Sequence, residues 1–114
     1  MKYADVKVGE GRYTVVLECY KIGKDRLCII KGGEEEHIGS ATLIEEKDYV
    51  QTISKKGHKD YIISERIAHI IYDRIGKDLL VVCGVHIENA TQDEIDILVQ
   101  NAQKCVNIFL KEKK

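Results

Sequence analysis

The chain has no proline, no tryptophan, a single phenylalanine and no excess of charge of either sign. The missing proline carries no information about function. With Phe109 on an apolar helical stripe and the tyrosines scattered, there is no obvious platform on which an aromatic ligand would stack. Eighteen basic and nineteen acidic residues give a formal net charge of -1. No broad field therefore exists to draw in a nucleic acid backbone or an anionic membrane, and any anion must be captured locally. No apolar run approaches the roughly 20 residues of a membrane helix. The start Met1-Lys2-Tyr3-Ala4-Asp5 lacks the apolar core of a signal peptide, so a cytoplasmic location is expected. Cys19, Cys28, Cys83 and Cys105 form no Cys-x-x-Cys pair and each sits in an apolar run, which argues for small buried hydrophobes in a reducing environment.

The 114 residues, 44% of them hydrophobic, suit a single domain spanning 1–114 with one core. No linker, repeat or low-complexity stretch interrupts it. Segments from Tyr13 to Ile22, Arg26 to Lys31, Ile38 to Glu45 and Tyr49 to Ser54 are rich in aliphatic and β-branched residues and predict four strands, antiparallel to one another; a fifth is possible from Tyr3 to Val8. From Asp60 the period becomes helical, with Ile63, Ile67, Ile70 and Ile71 on one face and Gly76 as the terminating cap. Leu79 to Cys83 is a continuous apolar run expected to form a central strand covered on both faces and ending at Gly84. A last helix begins at Thr91, where Thr91-Gln92-Asp93-Glu94 matches a capping box, and its stripe runs from Ile95 to Leu110. The order predicts an α+β fold: a mainly antiparallel sheet of five or six strands with two long helices packed on it.

Three of the four histidines lie in short glycine-containing segments where a strand gives out: Gly32 to Ser40, Gly57 to Asp60, and Gly84 to Thr91. Glycine permits sharp turns and close approach, and imidazole donates, accepts or carries charge near neutral pH. If the three segments converge, they make a site. Gly57-His58-Lys59 falls at the start of the first helix, where free N–H groups, the helix dipole and the Lys59 charge favour a phosphate. The Gly32-Gly33 pair can fold the backbone into an anion-receiving nest ahead of His37, Gly39 and Ser40. The intervening Glu34-Glu35-Glu36 would repel a phosphate and suits solvent or a basic partner. His86 leaves the end of the buried strand, Asn89 suits the turn that follows, and Thr91 caps the last helix. His69, inside the first helix, reads as a partly exposed structural residue. Zinc would need three histidines from three separate segments with no His-x-x-x-His pair, and Ser40 has no nucleophile elbow.

Gly-Gly-x-x-x-His-Ile-Gly-Ser, Gly-His-Lys-Asp before an Ile-rich helix, and Gly-Val-His-Ile-Glu-Asn-Ala-Thr before a second helix resemble the prenylated-flavin chaperone-like domain, typified by the small D subunit of gallate decarboxylase. The likeness runs from about Arg26 to the final helix. It implies a non-catalytic accessory protein that binds, delivers or helps mature prenylated flavin mononucleotide (FMN), or handles FMN transiently, for a decarboxylase that uses it. Partners would be that decarboxylase or a flavin prenyltransferase, and a homodimer is expected. The positions carried over are Gly33, His37, Gly39, Ser40, Gly57, His58, Lys59, His86 and Asn89. The strand and helix order is also similar to that of small proteasome-assembly chaperones, which leaves a purely protein-contacting role open. A small histidine-dependent enzyme is the third reading.

Overall fold

The computed structural model describes residues 1–46, 49–57 and 60–113. It contains six strands, β1 (Lys2–Val8), β2 (Val15–Ile22), β3 (Asp25–Gly33), β4 (Ser40–Glu45), β5 (Tyr49–Ser54) and β6 (Leu79–His86). The two helices are α1 (Tyr61–Ile75) and α2 (Gln92–Lys113), and a 3-10 turn at Gly11–Tyr13 joins β1 to β2. The single sheet has the order β1-β2-β3-β6-β4-β5. The predicted elements are present, and the segment from Tyr3 to Val8 is a full member of the sheet.

The sheet is mixed, where the sequence suggested antiparallel pairing. β3 and β6 run parallel, and the other four pairings are antiparallel. The reason lies in the route of the chain. α1 carries it back to the end of the sheet where β5 began, so β6 runs in the direction of β5, and it slots between β3 and β4. Helices that follow such strands begin at the strands' C-terminal end. The starts of α1 and α2 therefore share one end of the molecule with the exits of β3, β5 and β6.

Alternation along the strands sets the core. Val15, Leu17 and Cys19 of β2 are fully buried, and the register places them beside Val6 and Ala4 of β1 and Ile30 and Cys28 of β3. The same face continues through Val81 and Cys83 of β6 to Thr42 and Ser40 of β4. Both helices cover this face, α2 over β1 and β2, and α1 over β4 and β6. Phe109, fully buried, meets Tyr3 edge-on at 5.9 Å between ring centroids. Under α1 the core turns polar but is satisfied: Ser64 Oγ accepts from Ser40 Oγ at 2.9 Å and shares a hydrogen bond with Thr42 Oγ1 at 2.8 Å. The strand expected to be covered on both faces is covered on one.

All four cysteines are buried free thiols, as their apolar settings suggested. Cys19 and Cys28 face each other across β2 and β3 with sulfurs 2.9 Å apart. That contact and burial push the Cys19 thiol far up, burial pushes Cys83 up, and burial raises Cys105 to about 11. The thiolate is the reactive form, so these shifts disfavour reaction at Cys19, Cys83 and Cys105.

Because β6 lies between β3 and β4, the connection from Gly33 to Ser40 must pass across β6. It does so at Gly84, where a Cβ would overlap the His37 carbonyl oxygen, and Gly39 N–H donates to the Cys83 carbonyl at 2.8 Å. This crossing starts β4 at Ser40 instead of Ile38, while pairing of Gly33 with His86 carries β6 past Gly84. Gly84→Ala is expected to destabilise the fold by about 4 kcal/mol or more, the range of severe backbone and packing conflicts. Chemical denaturation should show the loss, and a variant as stable as the parent would contradict the crossing.

Candidate functional site

Among the described residues the crossing brings two of the predicted histidines together, and Asp60 brings the end of the third segment to them. His37 rides on the connection that passes over Gly84, and His86 ends β6. Their rings lie 5.5 Å apart between centroids at an interplanar angle of 72°. The His37 side chain is 15% exposed and that of His86 is 35% exposed, so the pair has an inner and an outer member. His58 and Lys59 lie outside the described residues, and with them the expected phosphate contact.

Asp60 supports the pair from the start of α1. Its residue is 8% exposed, and its Oδ2 accepts from Val85 N–H at 2.9 Å while standing 3.8 Å from His37 Nε2. A Cβ on Gly39 would lie 2.5 Å from the Asp60 carboxyl carbon, so glycine there lets the crossing segment rest on the carboxylate. His86 Nε2 is 3.1 Å from Glu88 Oε2 at the surface. In the sequence Asp60 marks only a helix boundary. The signal was available, since a carboxylate directly after Gly-His-Lys and ahead of an apolar helical face falls where backbone N–H groups converge.

The remaining predicted positions take different places. Gly33 has φ +82 and its Cα faces the His86 carbonyl so closely that a Cβ would collide with it. Ser40 is 2% exposed and its hydroxyl points to Ser64 under α1, away from the histidine rings. Gly57 is exposed with φ +78 and open space around it. Asn89 is exposed with φ +52, a left-handed turn position that asparagine tolerates. His69 is exposed in the middle of α1. The acidic run is partly engaged: Glu34 accepts Glu88 N–H at 3.1 Å and lies 3.8 Å from Arg12, and Glu36 is 3.9 Å from Lys31.

At the start of α2 the capping box is present in both directions. Glu94 N–H donates to Thr91 Oγ1 at 3.2 Å and Thr91 N–H donates to Glu94 Oε1 at 3.0 Å. The Thr91 N–H, together with the Tyr13 hydroxyl and the Arg12 guanidinium, holds the Glu94 carboxyl below the usual carboxylate range. The positive end of α2 thus already has an anion of its own chain. At α1 the Asp60 side chain makes no such cap and turns instead to Val85 N–H.

Beside His86 an apolar cleft of about 180 Å³ opens between the helices, lined by Ile63 of α1, Ile95 and Leu98 of α2, and Val85, with Asp60 and His86 as its polar members. An apolar cavity of about 150 Å³ takes a molecule the size of benzene, and complete small-molecule pockets start near 300 Å³. The cleft can therefore enclose one small apolar group, and a larger ligand must extend beyond it. Among the described residues no cluster of three His, Cys, Asp or Glu side chains is arranged to hold a metal ion. No helix among them is long and apolar enough to cross a membrane.

The chain belongs to the family of prenylated flavin chaperone LpdD-like domains, whose profile matches residues 9–114. The match includes β1's exit and β2, beyond the span over which the sequence motifs carry the likeness. Protein LpdD of Lactiplantibacillus plantarum is 33% identical over 79 residues, which cover 65% of this chain and 58% of that protein. Among solved structures, a chaperone complex for yeast 20S proteasome assembly matches with a TM-score of 0.63 at 13% identity, covering 97% of this chain and 96% of that one. That likeness shows the same α+β fold.

Asp60→Ala should leave the partly buried Val85 N–H without its acceptor, at a cost of about 1 kcal/mol. Asp60→Asn retains an acceptor oxygen and should lose less. Denaturant unfolding of both variants tests the order, and equal losses would mean that the carboxylate's contact with Val85 is not what supports the crossing.

Proposed function

We propose that this protein is a non-catalytic accessory protein that holds prenylated FMN, or FMN transiently, and passes it to a decarboxylase that uses the prenylated cofactor. Membership in the prenylated flavin chaperone family supports the cofactor, and one structural observation supports the mode of holding: His86, whose ring lies 5.5 Å from that of His37, lines a cleft sized for one small apolar group. The prenyl-derived part of the ligand, about five carbons, matches that volume. His37 and His86 would meet polar atoms of the ring system, with Asp60 orienting His37 and Ile63 and Leu98 receiving the apolar part. The cofactor supplies the decarboxylation chemistry only in its partner enzyme.

The small enclosed volume also suits a carrier. Most of a flavin held here stays outside the cleft, where a decarboxylase or a flavin prenyltransferase can reach it, and modest affinity favours release. A cytoplasmic setting accords with this partnership. A second reading, contact with protein partners alone, draws on the proteasome-chaperone fold likeness.

Anaerobic titration separates the two. Prenylated FMN is expected to bind saturably and at least tenfold more tightly than FMN, because burying a group of that size contributes about 1.5–3 kcal/mol. The double variant His37→Ala and His86→Ala should weaken binding about tenfold or more while its melting temperature stays near that of the parent. Absence of binding to either flavin would discard the carrier reading in favour of protein assembly.

A further inference from the structure

The two edges of the sheet are built differently. β1 carries Lys2, Asp5 and Lys7 exposed along its length and has a register shift between Lys2 and Ala4, devices that keep an edge strand from pairing further. β5 has neither. It holds no charged residue, no proline and no glycine, and its pairing with β4 is unbroken. Alternation decides which of its backbone groups are open. Lys55 N–H donates to the Gly39 carbonyl, so the bonded pairs with β4 fall at Ile53, Gln51 and Tyr49. The N–H and C=O groups of Val50, Thr52 and Ser54 therefore point outward, where no described strand meets them. On the sheet face away from the helices, a hollow of about 190 Å³ lies at the end of this edge, with Ile38, Ala41, Ile53 and Lys55 in its wall. Ile38 is 62% exposed and Ile53 75%. Lys55 and Lys56 are exposed as well, and among the described residues no carboxylate pairs with either.

We propose that the β5 edge takes up an extended segment of a partner polypeptide as a further strand of the sheet. Main-chain bonds to Val50, Thr52 and Ser54 hold the segment, and its alternate side chains carry the specificity. In an added strand, the residue beside Ile53 and the residue beside Lys55 are two places apart, about 7 Å, and face the same side. The first fits as a large apolar side chain lying over Ile53 against the hollow. The second fits as Asp or Glu, meeting the unpaired charges of Lys55 and Lys56. The recognised pattern is therefore an apolar and an acidic residue separated by one other, in the order that the strand direction sets. β5 itself has no carboxylate, so it does not offer this pattern to a second copy. Gly39 borders the hollow and also rests against Asp60, so the bound segment comes up beside the histidine end of the sheet. The inference does not depend on the cofactor reading.

The probe is a random octapeptide library displayed on phage and selected against the full chain; the consensus peptide is then synthesised and its binding read by fluorescence anisotropy. The enriched sequences are expected to share the apolar and acidic spacing. Ser54→Pro removes an outward N–H while leaving the bonds to β4 in place, and the double variant Lys55→Glu and Lys56→Glu reverses the charge. Each is expected to weaken the consensus peptide at least tenfold, whereas Lys7→Glu on β1 should leave it unchanged. Circular dichroism and a thermal melt report whether each variant is folded. N-methylation of the peptide at one set of alternate residues should abolish binding and at the other set preserve it, the mark of a strand bonded along one edge. If Ser54→Pro does not fold, that pair of peptides decides. A selection without a shared pattern, or equal effects of the two methylated sets, overturns the proposal. So does an edge already closed by a second copy, seen as a dimer that Ser54→Pro turns into a monomer.

Discussion

The structure depends on one backbone crossing. With β6 inserted between β3 and β4, the connection between those strands has to pass over β6, and only a residue without a side chain at position 84 leaves room for the His37 carbonyl. The hydrogen bonds from Gly39 N–H to Cys83 and from Glu34 N–H to His86 hold the segment down on either side of the pass. Everything that makes the strand end chemically distinctive follows from this. The crossing carries His37 to His86, sets Gly39 against Asp60, and lets Glu34 reach the Glu88 N–H. The glycines and histidines that recur in the sequence are the two sides of one passage.

The same end gathers two helix starts, an arrangement that ordinarily favours an external anion. Here the chain's own carboxylates are in place, Glu94 in a reciprocal cap at α2 and Asp60 on Val85 N–H beside α1. What the described residues offer a ligand is therefore an imidazole pair and an apolar cleft more than a preformed phosphate cradle. A site of that kind grips a ligand by one small group and leaves the remainder accessible. The proposed carrier role needs no more than this, whereas an enzyme must surround the reacting atoms and exclude water.

Much of this was legible in the sequence because it rests on local pattern. Strand alternation in β2 and β4, the helical period of α1, the glycine at its end and the capping box of α2 are short-range signals, and the structure contains each of them. The motifs also pointed to the family that the whole-chain match shows. Parallel pairing of β3 with β6 was not legible, because it depends on α1 returning the chain to the far end of the sheet and on β6 inserting between two hairpins. The same long-range step hid the bare face: the continuous run Leu79 to Cys83 implies burial on both sides, yet Leu80 and Val82 face away from the helices. Ser40 shows the limit of motif reading at the site. Its neighbours in sequence converge on His86, while strand alternation turns its hydroxyl under α1.

The central claim is that the histidine-bearing end of the sheet holds the prenylated flavin, and nuclear magnetic resonance of the labelled protein tests it directly. Anaerobic addition of prenylated FMN should shift the backbone signals of Gly33, Gly84, Val85 and His86, the His37 and His86 ring signals, and the methyl groups of Ile63 and Leu98. Shifts confined to the opposite end of the sheet, with those residues unmoved, would contradict the account.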